Sequence, residues 1–366
     1  MKALLLGTIV ATLLPLASNA YEPKAVTPVP TAATEWWNEA YPLPFDAKLL
    51  TRKQSEISVK GKLFVDDQGK TFVFRGVNIS DPDKLATQGK WDKSHFQAAK
   101  DFGSNVIRLP VHPTAWRSRG TSEYLKLLDQ AVVWANELDI YLIVDWHSMG
   151  NITKELYFHP MYRTSKQETM DFWRTIAARY AGVPTIAVYE LFNEPTNHND
   201  RLGTVDWMEW KAFNEELITV IYAHDRNIIP LVAGFNWAYD LSHVAKHPIA
   251  RPGVAYAIHP YPQKEKAGNM LAQWEKNWGH LANKYPLIAS ELGWMREGEK
   301  GAHIPVINND GSYGPLVRDY FAKKGISFTV WCFDPDWPPQ MISDWSYTPT
   351  EQGKFFRQVM LEARGR

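Results

Sequence analysis

The chain has one cysteine, Cys332, among 366 residues. A single thiol excludes an intramolecular disulfide framework and any cysteine-based zinc site, since each needs several. An excess of charge is also missing, because 40 Lys and Arg balance 40 Asp and Glu. Proteins that neutralise nucleic-acid phosphates, or that sit on anionic membranes, carry a basic surplus, so neither nucleic acid nor a membrane surface is an expected partner. Beyond residue 20 no segment reads as membrane-spanning. Metal signatures are absent too. There are 11 His, but no His-Glu-x-x-His occurs. The first candidate strand ends Gly76-Val77-Asn78, without the His-x-His of metal-dependent barrel hydrolases, so no metal and no cofactor are expected. Two look-alikes also fail. Gly69-Lys70-Thr71 imitates the end of a phosphate loop, but Phe64 stands where its first glycine belongs. Ser148 lacks a nucleophile elbow, because Trp146 occupies the first glycine position.

Aromatic rings are abundant instead, with 16 each of Trp, Tyr and Phe. A core does not need so many indoles, and aromatic faces on a surface serve flat ligands, of which sugar rings are one class. The N-terminus reads as an export signal over residues 1–20: Lys2, an apolar stretch ending near Pro15, then Ser18-Asn19-Ala20 as a cleavage site. Cleavage after Ala20 predicts a secreted or periplasmic protein with no membrane contact thereafter. Residues 21–56 read as an N-terminal arm with Pro23, Pro28, Pro30, Trp36 and Trp37. Whether that arm packs on the domain or reaches a neighbouring chain stays open, as does the oligomeric state.

Residues 57–366 read as one α/β domain. A short β-hairpin is expected where residues 62–65 and 71–74 flank Asp66-Asp67-Gln68-Gly69. Apolar strand candidates then recur at 73–78, 105–109, 140–145, 186–192, 228–233, 254–259, 287–291 and 327–333. Amphipathic segments alternate with them at 124–138 (behind a Thr121/Ser122 cap), 168–180, 205–224, 271–284, 315–324 and 352–363. Continuously apolar strands imply a parallel sheet covered by helices. Eight such units predict a (β/α)₈ TIM barrel preceded by the hairpin and the extended arm. No glycine-rich fingerprint supports the rival open sheet.

Polar residues recur at the C-terminal ends of these strands, where a barrel builds its active site. In order they are Asn78, Arg108, His147, Asn193 with Glu194, Trp237, His259 with Tyr261, Glu291, and Trp331. A carboxylate pair with tryptophan nearby is the equipment for glycosidic bond cleavage: one carboxyl holds a proton, the other attacks. Arg108 beside Glu291 would keep it anionic, and Tyr261 could add a hydrogen bond.

Seven pieces in order then resemble glycoside hydrolase family 5 over roughly residues 62–356: Arg75-Gly76-Val77-Asn78, Val106-Ile107-Arg108-Leu109-Pro110, Asp145-Trp146-His147, Phe192-Asn193-Glu194-Pro195, His259-Pro260-Tyr261, Ser290-Glu291-Leu292-Gly293, and Trp331. The resemblance implies Glu194 as acid/base and Glu291 as nucleophile. It implies Asn193 on the sugar 2-hydroxyl, Arg108 and Tyr261 positioning Glu291, His147 and His259 lining the site, and Trp331 beneath the sugar. The implied activity is a retaining endo-β-glycanase, foremost an endo-β-1,4-glucanase on cellulose-like or mixed-linkage β-glucan. The same chemistry on β-mannan, xyloglucan, β-1,3-glucan or a glycolipid is the alternative. A non-catalytic carbohydrate-binding barrel and an adhesion protein using its aromatic arm are more distant readings.

Other residues have structural readings. Glu190 shares the parity of Glu194 and is expected to pair inside the barrel with a basic residue such as Arg75. Trp134, Trp173, Trp210 and Trp274 are expected to pack helices, while about half of Trp116, Trp146, Trp207, Trp237, Trp294, Trp337 and Trp345 would stack on sugars. Cys332 reads as a buried small hydrophobe. The glycosylation patterns at Asn78 and Asn151 read as accidental.

Overall fold

The computed structural model describes residues 40–264 and 269–365. The expected export signal and the part of the arm carrying Trp36 and Trp37 lie outside the described residues. Eight parallel strands close into a barrel: β1 (Arg75–Asn78), β2 (Val106–Val111), β3 (Tyr141–Trp146), β4 (Ile186–Glu190), β5 (Ile229–Ala233), β6 (Ala255–Ile258), β7 (Leu287–Ala289) and β8 (Ser327–Val330). Neighbours follow chain order, and β8 closes on β1 with Phe328 opposite Arg75. Every residue within strands β2 to β8 is buried, which is why they are mostly apolar rather than alternating, apart from Arg108, Asp145 and Glu190 toward the rim. Gly76 lets β1 and β2 approach, since a Cβ there would lie 1.8 Å from the Val106 carbonyl oxygen.

Two apolar layers follow from the alternation of side chains along each strand. Val106, Ile143, Val188, Leu231, Ala257 and Ile288 fill the barrel interior. Ile107, Leu142, Val144 and Val232 face outward against the helices. Helical tryptophans both pack and bond to the rim. The Trp173 indole donates to the Leu191 carbonyl at 3.0 Å, and Trp210 donates to the Ala233 carbonyl at 2.9 Å. Each ties a helix to the end of a strand. Trp274 is likewise fully buried, and Trp134 packs against the same core.

The helices begin mostly where capping chemistry allows. Ser165 accepts from the Glu168 amide ahead of Lys166–Tyr180, a serine with glutamate three residues on, and Asp206 caps Trp207–Tyr222. Two expectations need correction. Thr121–Glu137 has no Thr121/Ser122 side-chain cap; Gly120, at φ 84°, joins it directly to the preceding helix Pro113–Arg119. The segment expected as one helix over 271–284 stops at Met270–Asn277 and resumes as the 3₁₀ turn Gly279–Asn283. Trp278 leaves helical geometry between them, and Trp274 and Trp278 are then both fully buried.

The hairpin forms from Leu63–Val65 and Thr71–Phe72, with Ser58–Lys60 as a third antiparallel strand. It plugs the barrel bottom with Ile57, Phe64 and Phe74, which belong to the interior cluster. Residues 45–56 also lie against that end. The Phe45 amide donates to Arg179, the Thr51 and Arg52 amides to Asn136 Oδ1, and Gln54 reaches the Ile140 carbonyl. No helix among the described residues is long and apolar enough to cross a membrane. Asn78 and Asn151 are buried, so neither can accept a glycan in the folded chain. Cys332 is buried, and burial pushes its thiol far up, which suits a hydrophobe.

His95 is an uncompensated polar group in this core. Its two ring nitrogens lack partners, and it sits among Phe333, Trp345 and Tyr347 with centroids 5.3–5.8 Å away. Burial, aided by the Lys84 charge, pulls its pKa down to about 3. An unfolded chain takes up this proton near pH 6.5, whereas the folded chain resists it. Stability is therefore intact above about pH 6.5 and drains as pH falls toward 3, by about 2 kcal/mol at pH 5. His95→Phe removes the term. Thermal unfolding between pH 7 and pH 5 is expected to shift less in the variant than in the wild type.

Candidate active site

The rim of the barrel is shaped first by backbone. After β4 the chain continues extended, and Glu194–Pro195 pairs in parallel with Met149–Asn151, which pairs antiparallel with Leu156–Tyr157. The Asn193 amide donates to Trp146, Glu194 to Ser148 and Thr196 to Gly150, so the β3–β4 pairing runs beyond the barrel. Gly150 is required there: at φ 151° its missing Cβ would lie 2.4 Å from the Leu156 carbonyl oxygen. This small sheet holds Glu194 over the mouth.

Arg108, at the centre of β2, is the hub beneath it and has no exposed side-chain surface. Its guanidinium donates to Glu190 at 2.6 Å, to Asn193 Oδ1 at 2.6 Å, to Asn78 Oδ1 at 2.9 Å and to Glu291 at 3.1 Å, and it lies 3.0 Å from Asp145. One fixed fork of donors thus orients side chains from β1, β3, β4 and β7. Burial disfavours the cation, but the three carboxylates outweigh it and hold Arg108 charged. Asn78 is held within this hub, and its amide donates to the Ser290 and Thr329 carbonyls. The partner of Glu190 is Arg108, not Arg75. Arg75 begins β1 at the opposite end of the barrel, whereas Glu190 ends β4 at the rim.

Glu194 and Glu291 face each other here. With His259 between them, their acceptor atoms all lie within 4.8 Å of one another. His259 Nδ1 is 2.9 Å from Glu194 and 3.7 Å from Glu291, and its Nε2 is 3.1 Å from Ser290 Oγ, which donates to Glu190 at 2.7 Å. Burial opposes charge on His259, yet Glu291, Glu190 and Glu194 together raise its pKa above the ordinary histidine value. Tyr261 donates to Glu291 at 2.9 Å. Burial pushes Glu291 up, and His259 and Arg108 only partly offset this, leaving it above the usual carboxylate range. The Arg108 contact exists as expected, but burial beside a second carboxylate outweighs it. Glu194 is buried too, yet the Lys264 ammonium at 3.7 Å and the His259 bond hold it below that range.

Aromatic rings complete two sides of the cleft. His147 stacks on Trp331 at 5.4 Å with 10° between planes, and Trp331 stacks beside Trp337 at 5.7 Å and 9°. His147 Nδ1 is fixed by Asp145 at 2.6 Å, and burial among His112 and Arg108 keeps its ring neutral. On the other side Trp237 meets Phe158 edge-on at 4.9 Å, with His198 beside both. Trp237 reaches the cleft because Asn236, Trp237 and Ala238 all have φ between 55° and 60°, a left-handed run that costs about 1–3 kcal/mol per residue. Met149, Phe158, Tyr162, Trp237, Lys264 and Trp331 help enclose about 640 Å³ around Glu194 and Glu291.

Could this cluster hold a metal? Glu194, His259 and Glu291 converge closely enough. Their donor atoms are already engaged by Arg108, Tyr261 and one another, and Lys264 stands 3.7 Å from Glu194. A set threaded with cations does not suit another cation.

All ten residues expected from the sequence gather at this rim, Asn78 behind Arg108 rather than in the cleft. Four of the seven tryptophans considered for sugar stacking, Trp116, Trp146, Trp207 and Trp294, enter the core instead, the first three of them within helices or a strand. Sequence reading missed Lys264, Asp145, Ser290 and Tyr162 as site residues. Asp145 shares strand parity with His147 and could have been found that way. Lys264 lies in a loop with no periodicity to mark it.

An eight-stranded barrel with two buried carboxyls and stacking rings at its C-terminal rim belongs to the class of barrel glycoside hydrolases. The model of the family described as "Cellulase (glycosyl hydrolase family 5)" matches residues 65–336, and the chain belongs to that family. It is 56% identical to the β-glucanase SdGluc5_26A from Saccharophagus degradans, whose crystal structure holds cellotetraose; the match covers 90% of this chain and 100% of that one, with a TM-score of 0.87. An endoglucanase of Paenibacillus polymyxa is 22% identical over 343 residues, 78% of this chain and 82% of that one. Endoglucanase A of Evansella cellulosilytica is 30% identical over 161 residues; the match takes in 44% of this chain and 30% of that protein's length.

Arg108→Met tests the hub. Three buried carboxylates would lose their counter-charge, so a destabilisation of about 3–5 kcal/mol is expected by denaturant titration. Arg108→Lys keeps charge but not the fork, and is expected to fold while losing most activity.

Proposed function

We propose that the chain is a retaining endo-β-1,4-glucanase acting on cellulose-like or mixed-linkage β-glucan, with Glu194 as acid/base and Glu291 as nucleophile. The observation that carries this is the carboxyl pair, whose oxygens approach within 4.8 Å. Double displacement needs such closeness, whereas inverting enzymes leave about 6.5–9.5 Å for a water. Likeness to the β-glucanase bound to cellotetraose supports a β-glucan as the substrate.

In the first half-reaction Glu194 protonates the glycosidic oxygen as Glu291 attacks the anomeric carbon and the leaving sugar departs. Arg108 and Tyr261 hold the Glu291 oxygens in line. Asn193 Nδ2 is buried and without a partner, a donor left for the 2-hydroxyl of the reacting sugar. Trp331, braced by His147, offers a face beneath that sugar. In the second half-reaction Glu194 takes a proton from water, which attacks the anomeric carbon and frees Glu291.

Reducing-sugar release tests the reading on carboxymethyl cellulose, barley β-glucan, xyloglucan, laminarin and glucomannan. Wild type is expected to act on the first two. Glu194→Ala is expected to lose about 10²–10⁴-fold, and Glu291→Ala to fall to background with its fold intact. Release by the wild type from another polymer alone would reassign the sugar; full activity of Glu291→Ala would sink the mechanism.

The N-terminal sequence supports export, with residues 1–20 removed and 57–366 forming the catalytic domain. N-terminal sequencing of exported protein is expected to begin at Tyr21.

A further inference from the structure

Lys264 is a charged cleft residue that the reaction above leaves unused. It follows β6 in the loop beyond Tyr261, and its side chain is 7% exposed. A buried ammonium is costly unless partnered. Its Nζ donates to the Trp237 carbonyl at 2.9 Å and lies 3.7 Å from Glu194 Oε1 and 5.8 Å from the centre of the Tyr261 ring. The Trp237 carbonyl belongs to the left-handed run, whose next carbonyl, that of Ala238, accepts from the His259 amide at 2.8 Å. One ammonium therefore ties the Trp237 wall to the acid/base carboxyl.

The two half-reactions make opposite demands on Glu194. It must carry a proton for the first and be a carboxylate for the second. A fixed cation beside it favours the second. The other groups facing Glu194 are His259 from the end of β6, Tyr261 just beyond it, Arg108 from β2, Asp145 from β3, Tyr162 from the loop after β3, and Glu291 from the end of β7. Lys264 differs from Arg108 and His259 in that neither Glu190 nor Asp145 is paired with it.

We propose that Lys264 is a positioning residue for the second half-reaction, holding Glu194 as a carboxylate aimed at the water that splits the glycosyl-enzyme. This rests on the acid/base role of Glu194. The step is balanced without any further reactant: water gives its proton to Glu194, its oxygen bonds to the anomeric carbon, and the Glu291 ester bond breaks. Burial pulls the Lys264 pKa below its ordinary value, while Glu194 and Glu291 pull it up.

The test uses Lys264→Met and Lys264→Arg with 2,4-dinitrophenyl β-cellobioside, whose leaving group needs no protonation, so that deglycosylation limits turnover. For Lys264→Met, kcat and KM are expected to fall together by about tenfold, with kcat/KM kept within about twofold. Loss of the cation raises the Glu194 pKa, so the acid limb of kcat is expected to move to higher pH by about half a unit or more. Lys264→Arg is expected to restore kcat and the wild-type limb. A fall in kcat/KM with an unmoved limb would make Lys264 a sugar ligand or a structural residue and overturn the proposal. Wild type and Glu194→Ala run alongside: failure of the wild type to turn over, or full activity of Glu194→Ala, overturns the functional reading and the proposal with it. Normal behaviour of both, with Lys264→Met unchanged, overturns the proposal alone.

Discussion

A buried guanidinium sets the terms for everything at the mouth of this barrel. Arg108 touches Glu190, Asp145, Glu291, Asn193 and Asn78 at once, so four strands deliver their side chains to one planar fork. Such a cation is unfavourable in a dry interior without compensating charge, and the carboxylates are unfavourable without it. The cluster is stable only as a unit. That interdependence converts strand register, which the apolar layers enforce, into the placement of Glu291 and Asn193.

Above the hub, a chain of hydrogen bonds runs from Glu194 through His259 and Ser290 to Glu190 and back to Arg108. Charge on either reacting carboxyl is thereby felt across the rim. The two carboxyls share His259 and are nevertheless distinguished by a second cation each: Glu291 leans on Arg108, while Glu194 has Lys264 on the side of the Trp237 wall. These surroundings lower the pKa of Glu194 and raise that of Glu291, so the first half-reaction needs the proton on Glu194 as Glu291 attacks, while the second uses Glu194 as the cleft leaves it. The aromatic rings follow the same division, with Trp331, His147 and Trp337 on one side and Trp237, Phe158 and His198 on the other.

Much of this was legible in the chain. Eight apolar runs alternating with amphipathic stretches describe a barrel, since strands buried on both faces cannot alternate in polarity. Polar residues just past those runs mark the rim, because only there can they escape the core. Helix limits were less legible where local signals competed. Gly120 joins two helices where Thr121 and Ser122 looked like a cap, and Trp278 bends a segment whose periodicity ran on. Tryptophan placement was the least legible. Trp146 ends a strand and Trp237 follows one, yet the first is fully buried and the second borders the cleft.

The sequence by itself determined the order of the strands, the identity of the rim residues and the pairing of Glu194 with Glu291 on one face. These follow from periodicity and strand parity, which are properties of consecutive residues. Only the tertiary structure decided that Glu190 answers Arg108 rather than Arg75, that burial lifts Glu291, and that Lys264 stands beside Glu194. Each depends on distances between residues far apart in the chain and on how much water is excluded around them. Electrostatic energies vary steeply with both, and neither quantity is written in any local stretch of sequence.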